Sequence, residues 1–364
     1  MRKIRLVLVG SGWRSLYYVR IARALPEQFE VAAVLCRSAE KAQAYAEANK
    51  VHTTTSAAEC RALKPDLIVV AVNKSSIAAV SEEWLNAGFA VLCETPAALT
   101  EEDLCRLWQL SQQGAKLAVA EQYTRYPICQ AMLRVLDTEL IGSSYTATVS
   151  KAHDYHGANL IRAFLKTDMQ PFTVSGRAYT HPTVETMSRQ ERFTDGRIAD
   201  KTRTVATFEF ANGKVGFYDF NAEQYRSPIR SSYIAAQGCR GEMQDSLFRW
   251  LDQNNMPCSG YMNIRWRTFY TDSLNPNLRK VREISEITFE GRTVYTPPFG
   301  LAGLSEDETA IAQVIADTAA WAWGEKEPEH PLAEALQDAY MSILLHRAVE
   351  TGKPQSSTRM PWHG

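Results

Sequence analysis

Residues 3–15 of the chain read KIRLVLVGSGWRS, and this stretch decides the class of fold. An apolar run rich in valine and leucine stops at Gly10 and Gly12, and apolar residues at helical spacing follow as far as Pro26. The pattern predicts a strand, a glycine turn and a helix. Such a turn lets a pyrophosphate approach bare backbone at the positive end of the helix. We therefore expect a dinucleotide-binding site; the alternative is a tight turn that binds nothing.

Four further apolar runs continue this alternation of strand and helix. The predicted strands cover residues 29–35, 65–72, 90–93 and 116–120. Strands that alternate with helices form a doubly wound parallel sheet, and ligands gather at the carboxyl ends of such strands. The residues expected beside the cofactor are Gly10, Gly12, Trp13, Arg14, Arg37, Ser38, Asn73, Glu94 and Gln122.

The end of the second predicted strand indicates which cofactor is bound. An acidic residue there would bind both ribose hydroxyls and repel a 2′-phosphate. This position is Cys36, and Arg37 and Ser38 follow it. A guanidinium beside a hydroxyl suits a 2′-phosphate, so the sequence predicts NADP(H), with NAD(H) as the alternative. Arg37 could instead be an exposed side chain that only solvates the turn.

The composition and charge of the chain give no indication of nucleic-acid binding or membrane association. The 364 residues include 40 Lys and Arg and 41 Asp and Glu, a balance that gives no reason to expect a nucleic acid or a membrane surface as partner. No apolar run is long enough to span a bilayer. The seven cysteines include no Cys-x-x-Cys pair, which indicates the reducing cytoplasm. The length favours two domains.

The alternation of strands and helices ends near residue 122, and strands predominate after it. These predicted strands cover residues 144–150, 202–210, 214–220, 231–237, 261–270 and 284–289, with the hairpin turn Asn212-Gly213 between two of them. Other predicted segments are a loop at 152–159, a long polar loop at 183–201, and closing helices at 305–323 and 332–351. The predicted domains are a Rossmann domain at 1–122, an α+β domain at 123–330, and a C-terminal helix at 331–364 that packs back on the Rossmann domain.

Titratable side chains crowd the segment after the strand 144–150. Lys151, His153, Asp154, Tyr155 and His156 lie within six residues. An imidazole suits the transfer of a hydroxyl proton near neutral pH, although a histidine in a loop or at a helix cap is an equally good explanation of His156 alone. Two such close histidines rarely ligate one metal ion, and the other histidines are scattered, so we predict no metal site.

Several motifs together resemble the glucose-fructose oxidoreductase, inositol dehydrogenase and rhizopine-catabolism (Gfo/Idh/MocA) family. The motifs are Gly10-x-Gly12, Glu94-x-Pro96, Arg125-Tyr126, His156-x-x-Asn159-Leu160-Ile161-Arg162, Asp200 before Thr202-Arg203-Thr204-Val205-Ala206-Thr207-Phe208, and Gln237-Gly238-x-x-Gly241. The resemblance covers nearly the whole chain. It implies an α/β protein with an N-terminal Rossmann sheet and a C-terminal α+β domain, whose large, open, mainly antiparallel sheet makes the oligomer contact. It also implies oxidation or reduction of a hydroxyl on a sugar or cyclitol with NAD or NADP.

The chain departs from the family pattern at three polar positions. Thr95 stands where the family has the lysine of Glu-Lys-Pro, Ala152 where it often has an aspartate, and Asn159 where it has an acidic residue. In the family, that lysine helps to hold the substrate hydroxyl and tunes the acid–base group. Either the site is rebuilt around His156, or the protein binds a dinucleotide without transferring hydride.

We favour retained chemistry, because titratable residues remain dense around His156. The residues expected to be catalytic are His156, Thr95, Asp154 and Lys151, and those expected to bind substrate are Arg125, His153, Tyr155 and Asn159. The predicted protein is an NADP(H)-dependent oxidoreductase of a sugar, cyclitol or related polyol, and a homo-oligomer. The alternatives are a non-catalytic sensor or regulator, and a hydrolase or lyase that uses the cofactor transiently. The substrate, the direction of reaction and the number of subunits stay open.

Overall fold

The structure is a computed structural model that describes residues 2–188, 191–272 and 278–364. The described strands, in chain order, are β1 (Ile4–Val9), β2 (Phe29–Leu35), β3 (Thr53–Thr54), β4 (Leu67–Val70), β5 (Val91–Cys93), β6 (Leu117–Val119), β7 (Ser144–Ser150), β8 (Phe172–Val184), β9 (Ile198–Phe210), β10 (Val215–Asn221), β11 (Tyr233–Gly238), β12 (Gly241–Gln244), β13 (Leu247–Leu251), β14 (Pro257–Tyr261), β15 (Asn263–Asp272), β16 (Leu278–Phe289), β17 (Arg292–Tyr295) and β18 (Gln355–Ser356). The described helices are α1 (Ser15–Ala24), α2 (Ala39–Asn49), α3 (Ala57–Ala62), α4 (Ile77–Asn86), α5 (Glu101–Gln112), α6 (Pro127–Leu136), α7 (Asp154–Leu165), α8 (Glu306–Ala322) and α9 (Leu332–Thr351).

The chain divides into two units. Unit 1 comprises Met1–Gln130, Ile264–Thr288 and Thr293–Leu336, and unit 2 comprises Ala131–Asn263, Phe289–Arg292 and Gln337–Gly364. Among the described residues, no helix is long and apolar enough to cross a membrane.

Unit 1 contains a parallel sheet whose described strands have the order β3-β2-β1-β4-β5-β6. The five predicted Rossmann strands are confirmed, and the two-residue edge strand β3 is the addition. The chain runs from β1 outward to β3 and then returns to β4 on the other side of β1. The glycine turn after β1 therefore lies where the strand order reverses, which is where doubly wound sheets bind ligands.

The core of unit 1 includes α8. Tyr18 and Ile21 of α1 share one buried apolar cluster with Ile311 and Ile315 of α8. The predicted boundaries placed this helix in the second domain, because it follows the strand-rich segment. Periodicity identified the helix and its apolar face, but which surface that face covers depends on tertiary packing.

Unit 2 contains a large open sheet whose described strands have the order β14-β13-β12-β11-β7-β10-β9-β8-β18. Only the pair of β7 and β10 is parallel among its neighbouring strands. The expected mainly antiparallel sheet is confirmed, including the hairpin at Asn212-Gly213, which joins β9 to β10. The strands β15, β16 and β17 form a separate sheet in that order, and most of their residues belong to unit 1.

Residues 337–364 belong to unit 2, and this differs from the predicted packing of the last helix on the Rossmann domain. Asp338 of α9 forms a buried ion pair with Arg162 of α7, at 2.6 Å. Tyr340 lies against Phe172 of β8, with 6.3 Å between ring centroids, and β18 pairs with β8. An ion pair between residues far apart in the sequence leaves no periodic pattern of apolar and polar residues. The sequence therefore could not show which unit contains α9.

The segment 152–159 was predicted as a loop, but α7 begins within it at Asp154. Gly157 lowers the helical propensity of this stretch. The structure explains the glycine, because a Cβ at Gly157 would lie only 2.5 Å from Cε2 of Tyr218. Close packing of α7 on β10 thus outweighs the low helical propensity of Gly157. As a result, His156 lies on a helix and not in a loop.

The predicted loop 183–201 is shorter than expected, because both of its ends are strand. β8 and β9 pair continuously from Phe172–Phe210 to Val184–Ile198. Side chains near the tip of this hairpin are exposed on both faces, so they lack the alternation that marks a strand with one buried face. Residues 189 and 190 of the predicted loop lie outside the described residues.

Candidate functional site

The glycine turn after β1 has room for a ligand on one side. Gly10 has a φ of +110°, and a Cβ there would lie 2.4 Å from the carbonyl oxygen of Ala71, so the fold itself requires this glycine. A Cβ at Gly12 would meet no described atom within 4 Å. The protein's own packing does not require glycine at this second position, but the backbone approach of a bound pyrophosphate would.

The N-terminus of α1 begins at the same turn. Among the described side chains none caps it, and its first turn contains no acidic residue. The buried Ser15 hydroxyl donates to the carbonyl of Gly12 at 2.6 Å and lies 2.8 Å from the Tyr45 hydroxyl. The N–H groups of Ser15 and Tyr17 donate to the carbonyls of Gly12 and Arg14, both at 3.1 Å, and the positive end of the helix dipole favours an anion. The turn and the helix end therefore fit the pyrophosphate of a dinucleotide.

Arg14 contacts two carboxylates. Its Nε donates to Oε1 of Glu94 at 2.7 Å, and its Nη1 donates to Oδ2 of Asp307 at 3.2 Å. Burial by itself lowers the pKa of this guanidinium, but the two carboxylates outweigh burial and hold the pKa well above its ordinary value. Arg14 lies directly after the glycine turn, and its place beside the cofactor phosphates stays a prediction.

Two tyrosines complete what we call the Arg14 cluster, which consists of Arg14, Tyr18, Glu94, Tyr126 and Asp307. The Tyr18 hydroxyl donates to Oε1 of Glu94 at 2.6 Å, and Tyr126 is hydrogen-bonded to Asp307. Burial raises the pKa of both phenols, and the neighbouring carboxylates raise it further. Both hydroxyls therefore stay protonated at neutral pH and act as donors.

Sequence reasoning singled out Arg14 and Glu94, named Tyr126 only as part of a motif, and missed Tyr18 and Asp307. Tyr18 follows the glycine turn at helical spacing and was interpreted only as part of α1. Asp307 lies in the acidic first turn of α8, where Ser305 and Glu308 form a capping box, so its charge is typical of a helix start. No signal in the sequence connects this turn to Glu94.

The other residues expected at the cofactor lie after strand ends at the carboxyl edge of the sheet in unit 1. Trp13 is 50% exposed and stands edge-on to Tyr17. Arg37 and Ser38 are exposed after β2, where the Ser38 hydroxyl accepts a hydrogen bond from the N–H of Lys41 and caps α2. The remaining two are Asn73, exposed after β4, and Gln122, buried after β6. Thr95, which was expected to be catalytic, is half-buried after β5 at the same edge.

In unit 2, the imidazole of His153 joins two tyrosine hydroxyls. Nδ1 lies 2.6 Å from the hydroxyl of Tyr225, and Nε2 lies 3.0 Å from the hydroxyl of Tyr155. The backbone N–H of His153 also donates to Tyr225, at 3.0 Å. These contacts fix the plane of the ring and form a chain of hydrogen bonds between the two phenols.

His156 lies against this chain. It is buried, and its ring centroid is 4.5 Å from that of Tyr155 and 5.0 Å from that of His153. The N–H of Asp154, a residue with φ of +46°, donates to the hydroxyl of Tyr218 at 3.0 Å. Burial raises the pKa of Tyr218, and the carboxylate of Asp154 adds to the rise, so this phenol stays protonated.

We call His153, Tyr155, His156, Tyr218 and Tyr225 the histidine–tyrosine cluster. Tyr218 and Tyr225 were missed by sequence reasoning, because an aromatic residue in or after a strand is usually part of a core. Lys151 follows β7 directly and is half-buried. Among the described residues no group of three or more His, Cys, Asp or Glu side chains could hold a metal ion.

Two residues expected to bind substrate are hydrogen-bonded to carboxylates of their own unit. The guanidinium of Arg125 donates to Asp317 at 2.8 Å and to Glu329 at 3.0 Å within unit 1. The amide of Asn159 donates to Oδ2 of Asp338 at 2.9 Å within unit 2. The assignment of both residues to the substrate stays a prediction.

Residues 4–122 match the model of an oxidoreductase family with an NAD-binding Rossmann fold, designated GFO_IDH_MocA. These residues, about a third of the chain, are similar to the NAD-binding domain of that family. The resemblance that the motifs indicated is thereby confirmed, and so is the α/β fold class. No curated protein matches the chain significantly in sequence.

Solved structures of several oxidoreductases and dehydrogenases share the fold over nearly the whole chain. An oxidoreductase from Agrobacterium radiobacter in complex with NAD+, L-tartaric acid and magnesium is 14% identical, with a TM-score of 0.67, and the match covers 97% of this chain and 98% of that one. The WlbA dehydrogenase from Bordetella pertussis in complex with NADH and UDP-GlcNAcA is 18% identical, with a TM-score of 0.64 and coverage of 98% and 99%. A myo-inositol dehydrogenase from Corynebacterium glutamicum is 14% identical, with a TM-score of 0.63 and coverage of 98% and 100%.

The match of residues 4–122 identifies this part of unit 1 as similar to the NAD-binding Rossmann domain of an oxidoreductase family. The glycine turn, the uncapped α1 and the reversal of strand order are the parts of unit 1 that fit such a cofactor. At identities this low, the solved structures show the shared fold alone.

Proposed function

We propose that this protein is an NADP(H)-dependent oxidoreductase that interconverts a hydroxyl and a carbonyl group on a sugar, cyclitol or related polyol. The observation that carries the proposal is the open side of Gly12 at the uncapped N-terminus of α1. Gly10 and Gly12 would receive the pyrophosphate, and Arg37 with Ser38 would receive a 2′-phosphate. When bound, the nicotinamide exchanges a hydride with the carbon that carries the reacting oxygen.

The histidine–tyrosine cluster supplies the groups for the proton of that reaction. We assign the transfer of the hydroxyl proton to His156, because a neutral imidazole accepts a proton and an imidazolium returns it near pH 7. His153 holds the hydroxyls of Tyr155 and Tyr225, so it positions the phenol that contacts His156. Tyr155 and His153 are assigned to the hydroxyls of a polyol, which pair well with such donors and acceptors.

Three further residues have proposed roles near the reacting group. Thr95 would donate one hydrogen bond where the family uses a lysine, with no charge and a shorter reach. Lys151 would supply the cation that Thr95 lacks. Asp154 begins α7 with its N–H hydrogen-bonded to Tyr218, and its carboxylate would orient the proton-transferring histidine.

One assay separates the proposal from its two alternatives. The purified protein is incubated with NADP+ or NADPH and a panel of sugars, cyclitols and their oxidised forms, while the absorbance of reduced nicotinamide and the products are followed. Net change in the cofactor supports the oxidoreductase. Product without net change supports a hydrolase or lyase, and cofactor binding without any product supports a sensor.

We expect Arg37→Ala to weaken the binding of NADPH by about tenfold or more, because one charge-assisted bond to the 2′-phosphate is lost. The affinity for NADH, which lacks that phosphate, should change by less than about twofold. Fluorescence titration with both cofactors measures the effect. Arg61→Ala is the matched control, since Arg61 is another surface arginine of unit 1, on α3, paired with Glu83. Tighter binding of NADH than of NADPH by the unaltered protein would sink the preference.

We also propose that the protein is a homo-oligomer through the outer face of the nine-stranded sheet. Phe217 of β10, 41% exposed, stands beside Thr207 of β9 and Thr148 of β7 in one cross-strand row. Tyr179 of β8, 47% exposed, points to the same side by its register. Hydroxyls and exposed aromatic rings on a flat sheet suit the burial of this face against a second copy.

Replacing Phe217 with aspartate should therefore lower the molecular mass measured by light scattering after size-exclusion chromatography. A charge buried without a partner is costly at an interface. Met256→Asp serves as the control, because Met256 is 61% exposed in the turn between β13 and β14. A monomeric unaltered protein, or an oligomer that Phe217→Asp leaves intact, contradicts the assignment of this face.

A further inference from the structure

We propose that the Arg14 cluster makes this protein bind the oxidised nicotinamide cofactor more tightly than the reduced one. The inference rests on the cofactor site of the proposed function and goes beyond it, because it concerns how the site discriminates between two redox forms of one ligand. It is carried by the net charge and the burial of three side chains in unit 1.

The Arg14 cluster lies at the carboxyl edge of the parallel sheet in unit 1. Glu94 follows β5, and Arg14 lies beside the glycine turn after β1, so their ion pair spans the carboxyl edge of the sheet. A dinucleotide bound at the reversal of strand order places its adenosine over β1 and β2, and its other half extends towards β4, β5 and β6. The cluster therefore lies on the nicotinamide side.

The charges of the cluster do not cancel. Arg14 contributes one positive charge, and Glu94 and Asp307 contribute one negative charge each, while both tyrosines stay neutral. The neighbouring Glu308 has its own cation, since Arg20 donates to it at 2.7 Å. One negative charge is left over.

This excess charge is poorly screened. The side chains of Arg14, Glu94 and Asp307 are 13%, 11% and 23% exposed, so solvent and salt reach them only in part. Thr95 adds no cation directly after Glu94, where the family pattern has a lysine. Lys74, in the turn after β4, is exposed, and solvent screens its charge.

The two forms of the cofactor differ by one charge on the nicotinamide ring. The oxidised ring is a cation and the reduced ring is neutral, so a nearby unbalanced carboxylate favours the oxidised form. At a separation of about 8 Å and an effective dielectric constant of about 20, one such charge changes affinity by roughly tenfold or more. Tighter binding of the oxidised form also makes the bound reduced form a stronger hydride donor, which favours reduction of a carbonyl substrate.

The test compares dissociation constants for NADP+ and NADPH, with NAD+ and NADH as a second pair, by calorimetry in the absence of any substrate. We expect the unaltered protein to bind NADP+ about tenfold more tightly than NADPH. Asp307→Asn should bring the two constants close together, because the amide oxygen can still accept a hydrogen bond from Arg14 while one negative charge is removed. Glu94→Gln should act in the same direction and serves as the second variant if Asp307→Asn folds poorly.

Glu102→Gln is the matched control, because Glu102 is an exposed carboxylate on α5 of unit 1, outside the Arg14 cluster, and the change removes the same charge. Its ratio of dissociation constants should equal that of the unaltered protein. Equal affinities for both redox forms in the unaltered protein overturn the inference, and so does a ratio that neither charge-removing variant changes. Failure of the unaltered protein to bind either form would instead contradict the proposed function.

Discussion

His156→Ala is expected to lower kcat on the substrate identified in the panel by a factor of about a hundred or more, while the dissociation constant of the cofactor stays within about twofold. General acid–base groups contribute rate factors of this size. His156 lies in unit 2, and the residues proposed to hold the cofactor lie in unit 1, so the two measurements report on different parts of the chain. Steady-state kinetics and fluorescence titration supply them.

A second variant separates chemistry from packing at this position. His156 is buried against Tyr155, so alanine leaves a cavity, whereas His156→Gln keeps most of the volume and a hydrogen-bonding group. Both variants should lose turnover, and only alanine should lower the melting temperature appreciably. His181→Ala, an exposed histidine of β8, is the control. Turnover that survives His156→Gln would move the acid–base role to His153 or Tyr155.

The two glycines of the turn should respond in opposite ways to alanine. Gly10→Ala forces a Cβ to within 2.4 Å of the Ala71 carbonyl at a φ of +110°, so we expect a loss of stability on the order of several kcal/mol. Gly12→Ala meets no described atom within 4 Å and should leave the melting temperature almost unchanged. Its Cβ would occupy the space of the pyrophosphate, and we expect cofactor affinity to fall by more than about tenfold.

Thermal unfolding and cofactor titration of both variants check this contrast. Each glycine is the control for the other, because they are two residues apart in one turn. Normal cofactor affinity in Gly12→Ala would mean that no phosphate approaches the turn there, and the dinucleotide assignment of unit 1 would fail.

The strands of unit 1 could be predicted because strands buried on both faces are continuous apolar runs. β8 could not, because much of it is exposed on both faces and carries Pro182 and His181 near its end. The start of α7 could not be predicted either, for a different reason. Gly157 is a poor helix former, and the contact with Tyr218 that justifies it joins residues about sixty positions apart.

The candidate site was predictable where it lies at strand ends and unpredictable where it depends on distant partners. Gly12, Arg37 and Glu94 follow strands directly, so the order of strands places them at one edge of the sheet. The Arg14 guanidinium contacts Asp307, which lies 293 residues later in the sequence. A local sequence pattern contains no information about a contact between residues so far apart, so the pairing of Arg14 with Asp307 could not be predicted.

The buried cluster that joins α1 to α8 has a consequence for biosynthesis. The apolar core that starts with Ile4 is completed only by residues as late as Ala319. When the first 130 residues have emerged from the ribosome, all strands of the parallel sheet have been made, but α8, which covers one side of the sheet, has not. Unit 1 must wait for the intervening segment to be translated before it can close, so unit 1 reaches its final fold late in translation although it contains the first residues made.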